Sequence, residues 1–255
     1  MQNKTHLPAY KDLNTYNTNG YVVTNEEPEL VREMLSRLKR TFKLGGGICS
    51  GGEMAFLALM PFCDQTVLVD HGYNACASAY YKAALLSQLG AKRFRDLIAE
   101  GHEFELVIRG SKILERMKRE LPAFSIRAFP KGMKDTTVCL TFQTLDAMRK
   151  EWFYTPAPVL RASRAKLHTL TIAHGDLSDL SEFGKFDLLY LSNAFGHSGR
   201  NGTPTLVKTA EPLMAAGGVA VLSQQVTPIP KNWRELAHRA PLRTSWTYSL
   251  LQYKG

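Results

Sequence analysis

Residues 43–80 run from Lys43 to Tyr80 and read KLGGGICSGGEMAFLALMPFCDQTVLVDHGYNACASAY. A first strand ends near Ile48-Cys49-Ser50, Gly51-Gly52 turns the chain, and Glu53 to Met60 is an apolar helical run stopped by Pro61. Thr66 to Val69 (TVLV) is β-branched and apolar, as befits a strand buried on both faces. That strand delivers Asp70 to the sheet edge. A glycine turn lets a ligand lie against bare main chain and exposes helix N-terminal amides. A carboxylate about 20 residues later accepts from both ribose hydroxyls, and Asp70 follows Gly51 by that interval. Together these features describe a nucleoside-binding half-site.

Working outward, residues 1–25 are polar and turn-rich, carry Tyr10, Tyr16 and Tyr21, and show no helical or strand period. They read either as a frayed arm or as a flap over the ligand mouth. Asn25-Glu26-Glu27-Pro28 is a helix start, with a capping residue, early acids and proline in the first turn. Leu30, Val31, Met34, Leu35 and Leu38 then line one face of a helix that ends at Lys39-Arg40 and packs beside the first strand. On the other side, Asn74 to Leu89 is an Ala- and Leu-rich helix closed by Gly90.

Residues 91–166 form an insertion before the third strand. Helices are expected at Lys92 to Gly101, Ser111 to Leu121 and Thr144 to Phe153, with a break at Pro130-Lys131-Gly132. Arg109, Lys112, Arg116, Arg127, Lys131 and Lys134 are interleaved with aromatics such as Phe124, Phe129 and Trp152. That mixture suits phosphate pairing and ring stacking on a phosphate-bearing acceptor; a solvated basic face is the plainer alternative.

Order returns with a third strand, Lys166 to Ala173, and a fourth, Leu188 to Ser192. Strand ends border the binding crevice, so Ser192, Asn193 and the loop Phe195 to Arg200 face the reacting atoms. Pro204 to Met214 reads as the following helix, Gly217-Gly218 as its stop, and Val219 to Leu222 as a fifth strand. Trp246 to Tyr253 is a last strand or antiparallel pair.

The chain has 255 residues, 44% hydrophobic and 22% charged, which fits one elaborated α/β domain spanning 1–255. The longest apolar run, Ala55 to Cys63, is too short for a membrane span, and the N-terminus lacks the apolar core of a signal peptide. Cys49, Cys63, Cys76 and Cys139 form no CxxC pair, so reduced, buried thiols in a cytoplasmic protein are expected and a zinc site is not. The formal net charge of +9 favours an anionic partner: a nucleotide, RNA or a lipid headgroup.

The run ICSGGEMAFLAL…VLVDHGYNACASAYYKAALLSQLG resembles the first βαβ unit of class I S-adenosylmethionine (SAM)-dependent transferases. Within that superfamily it is most similar to enzymes moving the 3-amino-3-carboxypropyl group, of the betaine-lipid synthase type. Ser50-Gly51-Gly52, Val69-Asp70 and Asn74 sit where that pattern puts them. The resemblance implies a Rossmann-like sheet with helices on both faces and SAM as group donor. It also implies that Asp176 bonds the adenine amine while Leu177 flanks the ring, although Asp176 reads equally well as the cap of the turn Leu177 to Leu180. Past the fourth strand, Leu191 to His197 departs from the lipid enzymes, which leaves the acceptor open: a nucleotide-linked natural product of the microcin C type, a tRNA base or a lipid.

Which sulfonium carbon reacts depends on which faces the acceptor. Methyl transfer leaves S-adenosylhomocysteine; aminocarboxypropyl transfer, the reading the resemblance favours, leaves 5′-methylthioadenosine. Proximity does most of the catalysis, with a base where the acceptor holds a proton. His197, in a Gly- and Ser-rich loop, is the leading base, with Asn193 beside it. His174, His71 and Asp187 are the others; His71 reads better as an adenine contact and Asp187 as structural. Gly45-Gly46-Gly47-Ile48-Cys49-Ser50 nearly matches a dinucleotide G-x-G-x-x-G, which keeps an NAD(P) oxidoreductase as a competitor. A silent SAM-fold module that binds RNA is the third class.

Overall fold

The computed structural model describes residues 8–13, 26–100, 156–192, 209–224, 226–240 and 247–255. In chain order its strands are β1 (Ala9–Asp12), β2 (Phe42–Ile48), β3 (Cys63–Asp70), β4 (Leu170–His174), β5 (Phe186–Ser192), β6 (Met214–Leu222), β7 (Trp233–Arg239) and β8 (Tyr248–Tyr253). Its α-helices are α1 (Pro28–Ser36), α2 (Tyr73–Glu100) and α3 (Ala157–Ala165). The strands form one sheet in the order β1-β4-β3-β2-β5-β6-β8-β7. All pairs from β1 to β6 are parallel, and β8 runs antiparallel between β6 and β7. The chain leaves β2 toward β3 on one side and returns through β5 on the other, so the topological switch lies between β2 and β5.

Side chains alternate across this sheet and build two cores. Leu189 and Leu191 of β5, with Ala220 and Leu222 of β6, face a layer with Leu180, Leu213 and Trp233. Leu188 and Tyr190, with Val219 and Val221, face the opposite layer, which holds Leu30, Val31, Met34 and Leu35 of α1. The apolar stripe read from the sequence therefore does pack α1 onto the sheet. The three glycines lie inside β2, paired on both sides, where added side chains would collide. A Cβ on Gly45 would lie 2.3 Å from Cys63 Sγ, on Gly46 2.4 Å from the Phe186 ring, and on Gly47 2.5 Å from the Tyr190 carbonyl oxygen. A run that mimics a dinucleotide loop is strand, and the turn falls after Ile48, at Ser50 to Gly52.

Several boundaries differ from expectation. The helical run after the turn is a π-turn, Ala55–Leu59, followed by a 3₁₀ turn, Met60–Phe62, with Pro61 inside the latter. Helix α1 ends at Ser36, short of Lys39-Arg40, and Lys39 takes a left-handed φ of 50°. Gly217-Gly218 is not a helix stop. It lies within β6, where register jumps from Phe186↔Met214 to Leu188↔Val219 and Gly217 absorbs the bulge with φ 76°. Gly90, at φ 76° and ψ 165°, breaks α2 as its sequence implied. Strands β1 and β7 and helix α3 carried no period strong enough to read. The proposed helices at 111–121 and 144–153 lie outside the described residues. Among the described residues, no helix is long and apolar enough to cross a membrane.

Gly47→Ala should lower unfolding stability by about 1–3 kcal/mol, since the obstructing atom is backbone that cannot swing aside. Urea unfolding with an unchanged m-value checks this.

Candidate functional site

Strands β2 to β6 all end at one edge of the sheet, and their ends carry most of the residues singled out by sequence. Asp70 closes β3, buried to 7% exposure. Its Oδ2 accepts the Ser50 amide at 3.0 Å and its Oδ1 the Gly72 amide at 2.8 Å. Burial pushes its carboxyl up to about 6, against the lowering by the Gly72 amide, His71, the Ser50 amide and His174. His71 is the exposed group beside it, its side chain 66% exposed and Nδ1 3.9 Å from Asp70 Oδ1. Each carboxylate oxygen has a second acceptor direction, which a hydroxyl pair could use.

The turn after β2 is not the open cradle expected from Gly51-Gly52. Ser50, Gly51 and Gly52 are buried. The Gly52 amide bonds the Cys49 carbonyl at 2.8 Å, and a Cβ on Gly52 would lie 2.8 Å from Ala79 Cβ and from the Phe56 ring. Gly52, with φ 89°, thus serves close packing of the turn against α2. The Gly51 carbonyl accepts Lys82 Nζ at 2.9 Å, and the same ammonium pairs with Glu53 in a buried ion pair. Sequence reading missed this pair, which lies beneath the turn and holds it down.

Asp176 and Leu177 follow β4 at the same edge. Asp176 is exposed and caps the 3₁₀ run Leu177–Phe183, its amide donating to Asp179 Oδ2 at 2.7 Å. Capping is thus one role Asp176 has; Leu177 is half-buried beside it. His174 is buried, its Nε2 donating to the His71 carbonyl at 3.1 Å, and Asp187 Oδ2 accepts the Lys43 and Leu44 amides at 3.0 and 3.1 Å. These bonds give both residues a structural role. Asn74 lies in the first turn of α2. Asn193, His197, Arg109, Lys112, Arg116, Arg127, Lys131 and Lys134 lie outside the described residues.

Across the switch, Ser192 ends β5 with φ 55°, as Ser50 follows β2 with φ 44°. Ser192 Oγ donates to Glu26 Oε1 at 2.9 Å, and Ser223 Oγ, just past β6, donates to the same oxygen. Glu26 is 4% exposed. The neighbouring Glu27 amide donates to Tyr248 Oη on β8 at 2.6 Å, which fixes the segment over the strand ends. Glu27 is the helix N-cap; Asn25, expected there, lies outside the described residues. The sequence marked the two acids only as helix-dipole partners, and no local signal tells that one of them is buried against two distant serines. Burial raises the Cys49 thiol well above its ordinary value and Cys63 to about 12, which favours the protonated thiol at both.

The sheet order β4-β3-β2-β5-β6-β8-β7, with β8 antiparallel, is the Rossmann-like class I SAM-transferase arrangement, extended at one edge by β1. No protein-family model matches the chain, and no curated protein does. Solved structures do match in outline. N-methyltransferase NodS from Bradyrhizobium japonicum is 10% identical over 89% of this chain and 94% of its own, with a TM-score of 0.46. Its complex with S-adenosyl-L-homocysteine is 12% identical over 94% of each, at 0.46. The rRNA methyltransferase AviRa from Streptomyces viridochromogenes is 13% identical over 88% and 84%, at 0.47. A likeness at this level says nothing of substrate or chemistry, and the fold rests on the strand order itself.

Two outcomes follow from the buried charges. Without ligand, the raised Asp70 value favours the folded state fully below the ordinary carboxylate range, and this contribution is lost as pH rises through about 6. Urea unfolding at pH 5, 6 and 7 should show that component in the parent and not in Asp70→Asn. Lys82→Met should cost about 3–5 kcal/mol by removing the ammonium that pairs with the buried Glu53, and Glu53→Gln/Lys82→Met should regain most of it in the same measurement.

Proposed function

We propose that this protein is a SAM-dependent transferase that moves the methyl group. The observation that carries the reading is Asp70: a buried carboxylate at the end of the strand next to the switch, oriented by two amides, with an exposed imidazole beside it. The residues fit an adenosyl donor. Asp70 would accept the ribose hydroxyls, His71 and Leu177 would border the adenine, and Asp176 would bond its amine. Ser50, Gly51, Gly52 and Asn74 would form the wall on the β2 side and Ser192 the boundary toward the acceptor.

A bound sulfonium donor supplies an activated carbon and departs as a neutral thioether, so the chain needs no strong acid. Its own task is to hold donor and acceptor in line and to keep water out. Of the three sulfonium carbons the methyl is the least hindered. Aminocarboxypropyl transfer is the second reading, favoured by the sequence likeness around Ser50-Gly51-Gly52 and Val69-Asp70. In either case Asn193 and His197, which follow β5 in the chain, would serve the acceptor, with His197 taking a proton where the nucleophile carries one. The acceptor is anionic, a nucleotide, RNA or lipid headgroup, met by Arg109, Lys112, Arg116, Arg127, Lys131 and Lys134. The net charge of +9 supports that class.

Calorimetry should show SAM and S-adenosylhomocysteine binding and NADH not binding. Asp70→Ala should weaken SAM at least tenfold, and unchanged affinity would refute the site. SAM affinity should also fall as pH drops through about 6, where Asp70 takes up a proton. With nucleotide, tRNA and lipid acceptors in turn, S-adenosylhomocysteine as by-product supports methyl transfer and 5′-methylthioadenosine overturns it.

A further inference from the structure

The sheet edge opposite the candidate site carries a row of cations. Arg40 and Lys43 flank the start of β2 and Lys185 precedes β5, while Lys254 follows the end of antiparallel β8 and Lys231 and Arg234 flank the start of β7. All six are exposed. The row crosses from β2 to β7, four strand spacings or about 19 Å. Among the described residues none of the six ammonium or guanidinium groups has a carboxylate partner, and four are held by neutral acceptors. Arg40 donates to the Gly217 carbonyl at 3.1 Å, and its guanidinium lies over the Phe42 ring, 4.7 Å from the centroid. Gln252 Nε2 donates to the same carbonyl at 3.1 Å, and its Oε1 accepts Arg234. Lys185 donates to the Pro212 carbonyl and Lys254 to the Lys231 carbonyl, the latter at 2.9 Å.

The nearby acids are engaged elsewhere or turned away. Asp187 accepts the Lys43 and Leu44 amides, and Glu211 accepts the Trp233 indole N–H at 3.0 Å. Glu235 alternates to the other face of β7 from Arg234 and lies 3.7 Å from His238, and Asp64 begins β3, on the far side of β2 from the row. Like charges held side by side repel, so an extended anion laid along the row gains attraction and relieves that repulsion. The seven residues of β2 separate this edge from the edge of Asp70 by about 23 Å. A single nucleotide is too short to touch both. A bilayer resting on the cations leaves Asp70 facing away from its headgroups, and duplex DNA is too stiff to follow so small a body from one edge to the other. A folded RNA has both the charge and the reach.

We infer that this edge docks the phosphate backbone of a folded RNA whose reacting nucleotide reaches the opposite edge. This rests on the reading of the protein as a SAM-dependent transferase, and it narrows the acceptor from nucleotide, RNA or lipid headgroup to RNA. The lysines supply point charges, while the two guanidiniums, fixed through Gly217 and Gln252, supply directed N–H donors. Contacts of this type set the position of the RNA and read no sequence.

The test is fluorescence anisotropy of labelled tRNA with the full chain, with Lys43→Gln/Lys185→Gln/Lys254→Gln, and with Lys92→Gln/Arg93→Gln/Arg161→Gln, which removes the same charge from exposed positions on α2 and α3. Thermal melts show that each variant is folded. The first variant should bind tRNA at least tenfold more weakly at low salt, and the slope of log affinity against log salt should shrink by about 2–3, as for three lost phosphate contacts. The second variant should change tRNA affinity much less. Equal loss in both makes the effect one of net charge, and no loss in the first puts the RNA elsewhere; either result overturns the assignment. Absence of tRNA binding also overturns it, as does row-dependent binding of phosphatidylserine vesicles, duplex DNA or polyglutamate as tight as that of tRNA. Should the first variant not fold, Lys185→Gln/Lys254→Gln must show the same loss with a slope smaller by about 1–2. SAM affinity, measured by calorimetry, should be the same in all, so the transferase reading is tested separately and fails only if the parent binds neither SAM nor S-adenosylhomocysteine.

Discussion

Asp70 fastens three strand ends to one another. Its carboxylate takes the Ser50 amide from the turn after β2 and the Gly72 amide from the turn after β3, while its carbonyl takes the Gly175 amide after β4 at 3.0 Å. Cys76 Sγ reaches the same carbonyl at 3.6 Å and the Ala173 carbonyl at 3.4 Å, so α2 is bound into the joint as well. A carboxylate kept from water costs free energy, and here part of that cost is offset by donors that would otherwise be orphaned at loop ends. The side chain thus ties the loops after β2 and β3 together, and the main-chain carbonyl of the same residue adds the loop after β4.

A second carboxylate repeats the arrangement across the switch. Glu26 accepts the Ser192 hydroxyl where Asp70 accepts the Ser50 amide, and both serines have left-handed backbone, at φ 55° and 44°. For a residue with a Cβ that conformation is uphill, and it persists where the surroundings over-determine it. The two strands that flank the switch therefore both leave the sheet through a constrained serine clamped by a buried acid. Strain of this type concentrates where ligands are handled.

Several features were legible because their cause is local. The β-branched run ending in Asp70, the apolar stripe of α1 and the break at Gly90 each follow from side-chain periodicity or from a backbone angle that only some residues accept. Asp176 carried two local meanings and the structure shows the cap among them. Misreadings arose where the cause is remote. Gly217-Gly218 looks like a helix stop, yet it serves a register jump against Phe186. Gly51-Gly52 looks like a ligand cradle, yet Gly52 is small because Ala79 and Phe56 press on it. Gly45 to Gly47 look like a loop, yet they are small because Cys63, Phe186 and Tyr190 leave no room. A glycine announces that a side chain is unwelcome without saying what excludes it.

By itself the sequence determined the βαβ unit, the carboxylate at its second strand end and the parallel α/β class, since these depend on contacts between residues near one another in the chain. Tertiary structure alone decided that Glu26 meets Ser192 and Ser223, that Glu53 and Lys82 pair beneath the turn, and that β7 and β1 close the sheet edges. Those contacts join residues up to 197 positions apart, and nothing in the local pattern around either partner encodes where the other will arrive.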